Sequence, residues 1–140
     1  LALGDVQGSL TLHHGAEDSG CSTLAQQPPR GTAGTSAAEI VAFDQWRANQ
    51  GIPLPAAGSW VAKIDVEGYE VKVLKGMAAA LKEKAFMGLV IEHNPETLKL
   101  FGHRVGDIEA IMHDCGYKRM DPAGKYSFKS GDSMNAFYVA

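Results

Sequence analysis

Two pairs of ionisable residues stand where an α/β chain commonly does chemistry. Asp65 and Glu67 close the run Trp60-Val61-Ala62-Lys63-Ile64-Asp65-Val66, and Glu92 and His93 close the run Met87-Gly88-Leu89-Val90-Ile91-Glu92. Carboxylates accept protons and bind hard cations, and an imidazole moves protons near neutral pH. If the two runs are neighbouring parallel strands, all four side chains open on one mouth, because ligands of open α/β sheets bind beyond the carboxyl ends of the strands. Such a group can activate a hydroxyl, hold a divalent cation through Asp65 and Glu92, or do both. The plainer alternative is that acidic residues end strands where the chain meets water or caps the next helix, a placement the helix dipole favours by about 0.3 to 1 kcal/mol.

The elements that must position these residues follow from hydrophobic period. Residues 60–66 and 87–92 are apolar enough for buried strands. Between them Val71, Leu74, Met77, Ala78 and Leu81 recur at helical spacing, with Lys72, Lys75, Lys82 and Glu83 opposite, which predicts one amphipathic helix over 69–84, kinked at Gly76. Gly68 permits the sharp strand-to-helix turn. Residues 95–101 form a short helix opened by Pro95, and 105–115 another, with Ile108, Ile111 and Met112 inward and Gly116 as its stop. Late strands fall at 117–120, 126–128 and 135–139, the last two antiparallel across a turn at 129–133. Upstream, 1–5 reads as the end of a buried strand and 9–13 as a half-buried one. Residues 39–43 form a short strand, and Asp44 caps a helix over 45–49. Residues 15–36, rich in Gly, Ser, Thr, Pro and Gln, read as a flexible surface loop that includes the Gly31–Gly34 stretch.

Composition bounds the rest. The 140 residues are 45% hydrophobic and 21% charged, the profile of one globular domain or part of one. A net charge of −3 without a Lys/Arg run argues against a nucleic-acid partner. No stretch approaches the roughly 20 apolar residues that span a bilayer. Cys21 and Cys115 lack metal-ligand spacing and read as free thiols, which fits a cytoplasmic location. His13 and His14, adjacent on a strand, point to opposite faces and share no site. His103 and His113 lie on or beside surface helices, and Trp46, Trp60, Phe86 and Phe128 read as packing.

The segment Lys63-Ile64-Asp65-Val66-Glu67-Gly68-Tyr69-Glu70-Val71-Lys72-Val73-Leu74-Lys75-Gly76 resembles the recurring Lys-Ile-Asp-Val-Glu-Gly-x-Glu and Val-Leu-Lys-Gly stretches of FkbM-type class I S-adenosylmethionine-dependent methyltransferases. Ala2-Leu3-Gly4-Asp5 with Gly8, Asp18-Ser19-Gly20-Cys21-Ser22-Thr23-Leu24, Phe43-Asp44, Val90-Ile91-Glu92 and Gly116-Tyr117 resemble further parts of that family in the same order. The resemblance implies an α/β fold: an incomplete Rossmann-like methyltransferase sheet made of the C-terminal strands, with a partly antiparallel edge and flanking helices. Residues 1–140 would then be the C-terminal part of one methyltransferase domain, with the N-terminal donor-binding strands absent and a sheet edge exposed for self-association. It implies S-adenosylmethionine as cofactor and a hydroxyl of a small molecule or sugar as acceptor, with a divalent cation compatible but not required. Asp65, Glu92 and His93 would be catalytic, Leu3, Gly4, Asp5 and Asp65 would touch the donor, and Glu67 and His93 would meet the acceptor. Capping of the following helix is the alternative for Glu67, while Glu70 would lie a turn inside that helix. A non-catalytic α/β module that binds a ligand or partner is the alternative for the whole chain.

Overall fold

The computed structural model describes residues 1–15, 22–26, 32–120 and 134–140. The stretch from Asp18 to Cys21, Gly31, the strand expected at 126–128 and its turn at 129–133 lie outside these residues. The described part is a mixed α/β structure with two mixed sheets.

The first sheet holds β1 (Ala2–Leu3), β2 (Gly8–Gly15) and β3 (Thr32–Val41) in the order β1-β3-β2. β1 runs parallel to β3, and β2 pairs antiparallel with it from Gly8 opposite Ile40 to His14 opposite Gly34. The loop expected over 15–36 is therefore shorter, since residues 32–36 are strand, and Gly34 is a ladder residue. The physical reason is exposure. Residues 32–37 are exposed on both faces, so no apolar alternation marks them, and Thr-rich backbone pairing alone makes the strand.

The chain continues through α1 (Phe43–Asn49), β4 (Trp60–Ile64), α2 (Glu70–Gly76), α3 (Ala78–Lys82), β5 (Phe86–His93), α4 (Pro95–Leu100), α5 (Val105–Asp114), β6 (Lys118–Met120) and β7 (Met134–Val139). The second sheet has the order β4-β5-β7-β6, with β4 and β5 parallel and β7 antiparallel to both its neighbours. Register assigns its faces. Ala62, Ile64, Leu89, Ile91, His93, Ala136 and Tyr138 share one face. That face is packed by Leu74, Leu81, Leu98, Ile108 and Met112 from the helices, all at 0% exposure. Val61, Lys63, Val90, Glu92, Phe137 and Met120 share the other. No helix among the described residues is long and apolar enough to cross a membrane.

The single helix expected over 69–84 is two, α2 and α3, separated at Met77 (φ −117°, ψ 23°). A Cβ on Gly76 would fall 1.8 Å from the Gly4 carbonyl oxygen, so only glycine lets β1 approach the end of α2. The freed amides of α3 find a partner from far away in sequence. Asp44 accepts from Ala79 N at 2.7 Å and Ala80 N at 3.2 Å, a capping arrangement of the kind that contributes about 1 kcal/mol. The cap expected for the helix at 45–49 thus serves α3, because α1 already begins at Phe43 and holds Asp44 inside its first turn. α4 follows its sequence signals, with Asn94 Oδ1 accepting from Glu96 N and Thr97 N ahead of Pro95 at the first turn.

Candidate active site

After Ile64 the chain leaves β4, reverses and enters α2 within a few residues. Two consecutive residues take left-handed backbone, Glu67 (φ 52°) and Gly68 (φ 97°), a costly conformation for glutamate and a natural one for glycine. A Cβ at Gly68 would sit 2.2 Å from the Thr97 carbonyl oxygen, so the turn is pressed against α4. From the other side Glu70, the first residue of α2, holds it. Its Oε1 accepts from Val66 N at 3.1 Å and Gly68 N at 3.2 Å, and the residue is 1% exposed. Burial pushes the Glu70 carboxyl above its ordinary pKa, the backbone amides of Glu70, Val66 and Gly68 pull it back, and the charge of Glu92 pushes it up again. Glu70 therefore starts the helix instead of lying a turn inside it. The α2 N-cap is Tyr69, whose own side chain makes no capping hydrogen bond.

This turn brings three carboxylates together. One oxygen each from Asp65, Glu67 and Glu92 lies within 4.8 Å of the others, with Asp65 exposed, Glu67 half-buried and Glu92 buried. They stand at the carboxyl ends of parallel β4 and β5, at the end of the sheet where such ligands bind. Lys63 Nζ forms an ion pair with Asp65 Oδ2, which leaves an acidic mouth with one cation at its rim. Three hard oxygens at this spacing suit a divalent cation, but Lys63 already supplies positive charge and the arrangement does not demand a metal.

His93 is not in this mouth. Glu92 and His93 are successive strand residues and point to opposite faces, so the four-residue group expected from sequence is a three-residue group. The ring is 1% exposed, and its Nε2 lies 3.2 Å from Tyr138 Oη in the packed face. Burial, and then the charge of Arg119, hold its pKa down at about 4, which leaves a neutral imidazole at physiological pH.

The residues expected to face the donor are split. Leu3 lines a cleft of about 710 Å³ between β1 and β4, whose walls also include Phe43, Trp60, Ile64, Val66 and Tyr69. Gly4 is buried as a packing contact, since a Cβ there would fall 2.6 Å from Ile40 Cγ2. Asp5 forms an ion pair with Lys72 at 2.9 Å, and that hydrogen bond is the main reason the Lys72 ammonium holds its proton more tightly than usual. Tyr69 borders both the cleft and this pair; burial first, then the charge of Asp5, raises its phenol pKa. Sequence reasoning missed Glu70 and Tyr69. The available signal for Glu70 was its place two residues after Gly68 and four after Val66, a spacing that lets a carboxylate fold back onto both amides.

A family model described as the methyltransferase FkbM domain matches residues 1–119. No curated protein and no solved structure matches the chain.

Proposed function

Since the chain belongs to the FkbM methyltransferase domain family, we propose that it is the acceptor side of an S-adenosylmethionine-dependent O-methyltransferase acting on a hydroxyl of a small molecule or sugar. The gathering of Asp65, Glu67 and Glu92 at the ends of two parallel strands carries this reading. The apolar cleft beside the turn, walled by Leu3, Ile64, Val66 and Tyr69, suits the adenine of a donor. Ribose and methionine groups need a glycine-rich strand–turn–helix and a further acidic strand end.

When bound, S-adenosylmethionine supplies an electrophilic methyl group. Asp65 accepts a hydrogen bond from the acceptor hydroxyl and orients its lone pair; Glu92 supports the same proton from the neighbouring strand. With a methyl donor held in the cleft beside Leu3, Ile64, Val66 and Tyr69, the acceptor oxygen would take its methyl group, and Asp65 would take up the hydroxyl proton. Positioning and mild base assistance supply most of the acceleration such a transfer needs. His93, neutral and buried, acts through packing.

Calorimetric titration of this chain with S-adenosylmethionine and S-adenosylhomocysteine is expected to give weak binding or none; tight stoichiometric binding would move the whole donor site into these residues. In a methyl-transfer assay, Asp65→Asn is expected to lower transfer to hydroxyl acceptors roughly 100-fold or more with an unchanged melting temperature. Full activity in that variant would remove the assigned role. A second reading, a non-catalytic ligand-binding module, is favoured by one observation: Asp65 and Asp5 are each engaged by a lysine. Enzyme-dependent formation of S-adenosylhomocysteine separates the two.

A further inference from the structure

We infer that Glu70 is a positioning residue, whose buried carboxylate sets the shape of the Asp65–Gly68 turn and so the placement of Asp65 and Glu67 against Glu92. The inference rests on the methyltransferase reading for its catalytic meaning, though its geometry stands alone.

A turn with two successive left-handed residues has few internal hydrogen bonds to hold it. Tyr69 N donates to Val66 O at 3.3 Å, a long contact. The two amides that would otherwise be orphaned, Val66 N and Gly68 N, flank Glu67, and one oxygen of Glu70 takes both. That single acceptor fixes the Asp65–Val66 and Glu67–Gly68 peptide planes, which lie on either side of the turn's left-handed glutamate. Buried amide–carboxylate hydrogen bonds are stronger than neutral ones. On the far side Gly68 is wedged against the Thr97 carbonyl, so the turn is clamped between the first residue of α2 and the first turns of α4. Asp65 and Glu67 belong to the clamped segment. The charge coupling between Glu70 and Glu92 places Glu70 within electrostatic reach of the acidic mouth. A glutamate kept 1% exposed at the start of a helix, where an exposed carboxylate would serve the dipole as well, is accounted for by this task.

The test compares Glu70→Leu, which keeps bulk and removes the acceptor, with Glu70→Gln, which keeps a carbonyl oxygen in place. Amide hydrogen exchange by NMR on the whole chain is expected to quicken about tenfold or more at Val66 and Gly68 in Glu70→Leu, with Leu89 and Ile91 unchanged, and to stay near the wild-type rate in Glu70→Gln. Carbodiimide labelling of Asp65 and Glu67, read by mass spectrometry, should change severalfold in Glu70→Leu and return in Glu70→Gln. If Glu70→Leu does not fold, Glu70→Asp decides: its side chain is one methylene short, and it should lose the same two protections while keeping the charge. Protected amides and unaltered labelling in Glu70→Leu or Glu70→Asp would overturn the inference. In a methyl-transfer assay the Leu variant should lower kcat with little change in KM for S-adenosylmethionine. Exchange and labelling need no methyl donor, so both still decide the role of Glu70 if the methyltransferase reading fails; an active enzyme with normal exchange in the Leu variant sinks the inference alone.

Discussion

The two faces of the four-stranded sheet are made by the same strands and face different media. On one, Leu89 and Ile91 are 0% exposed and His93 1%; on the other, Val61 is 71% and Phe137 44% exposed. Glu92 and His93, joined by one peptide bond, fall on opposite sides of this divide. The carboxylate reaches the acidic mouth with Asp65 and Glu67, whereas the imidazole packs on Tyr138 with its pKa lowered to about 4. Strand period, more than residue type, therefore decides which ionisable group is available for chemistry. An imidazole is the better proton carrier on chemical grounds, but burial has removed it from that work.

The largest effects should come from the packed face. Leu89→Ala and Ile91→Ala each remove a fully buried side chain from between sheet and helices, and each is expected to cost about 2 to 5 kcal/mol in urea unfolding. A cost below about 1 kcal/mol in both would mean that α5 and α2 do not close this face as tightly as its burial implies.

Next comes the pH dependence that His93 imposes. Its folded pKa, about 4, lies below the ordinary histidine value of 6.5, so the unfolded chain binds the proton more readily. The stability tied to the neutral ring is therefore complete above pH 6.5 and is lost as pH falls toward 4 and below. The full loss amounts to about 3 kcal/mol. NMR titration of the ring should show the low pKa directly, and a value near 6.5 would put His93 back in contact with water and the comparison in error.

Much of this division is legible in the sequence. The runs ending in Asp65 and Glu92 mark β4 and β5 because buried parallel strands are apolar nearly throughout, and Asn94-Pro95 marks α4 because cap and first-turn residues have local reasons for their type. The rule that separates His13 from His14 also separates Glu92 from His93, and applying it there corrects the four-residue mouth. What is not legible depends on contacts distant in sequence. Asp44 caps α3 from 35 residues away; Gly76 must be glycine because the Gly4 carbonyl lies where its Cβ would fall; and residues 32–36 pair without burying a face. Glu70 is an intermediate case, since its spacing permits the fold-back onto Val66 and Gly68 but only the left-handed turn makes it necessary.

The Asp5–Lys72 pair sits between the extremes, partly exposed at 20% and 33% of its side chains. Solvent screening limits what such a pair contributes, so Asp5→Asn is expected to lower stability by about 1 kcal/mol or less, and by less still in roughly 0.5 M salt. A salt-independent loss would point to the buried environment of Tyr69 instead of the ion pair.

The smallest effect should come from the open face, and it probes the comparison most sensitively. Val61 projects from β4, an edge of its sheet among the described residues. Val61→Thr keeps the β-branch, hence the strand preference, and exchanges a methyl for a hydroxyl that water can solvate. At 71% exposure almost no transfer free energy is at stake, so the change in unfolding free energy should stay within about 0.5 kcal/mol. If the variant instead loses more than about 1 kcal/mol, a hydroxyl is being desolvated there, and the face is covered in solution by another segment or another copy of the chain. Sedimentation at several concentrations distinguishes those occupants, because self-association makes the penalty grow with protein concentration and an intramolecular cover does not. The edge strand beside the acidic mouth would then be both a wall of the site and the seam along which the sheet is extended.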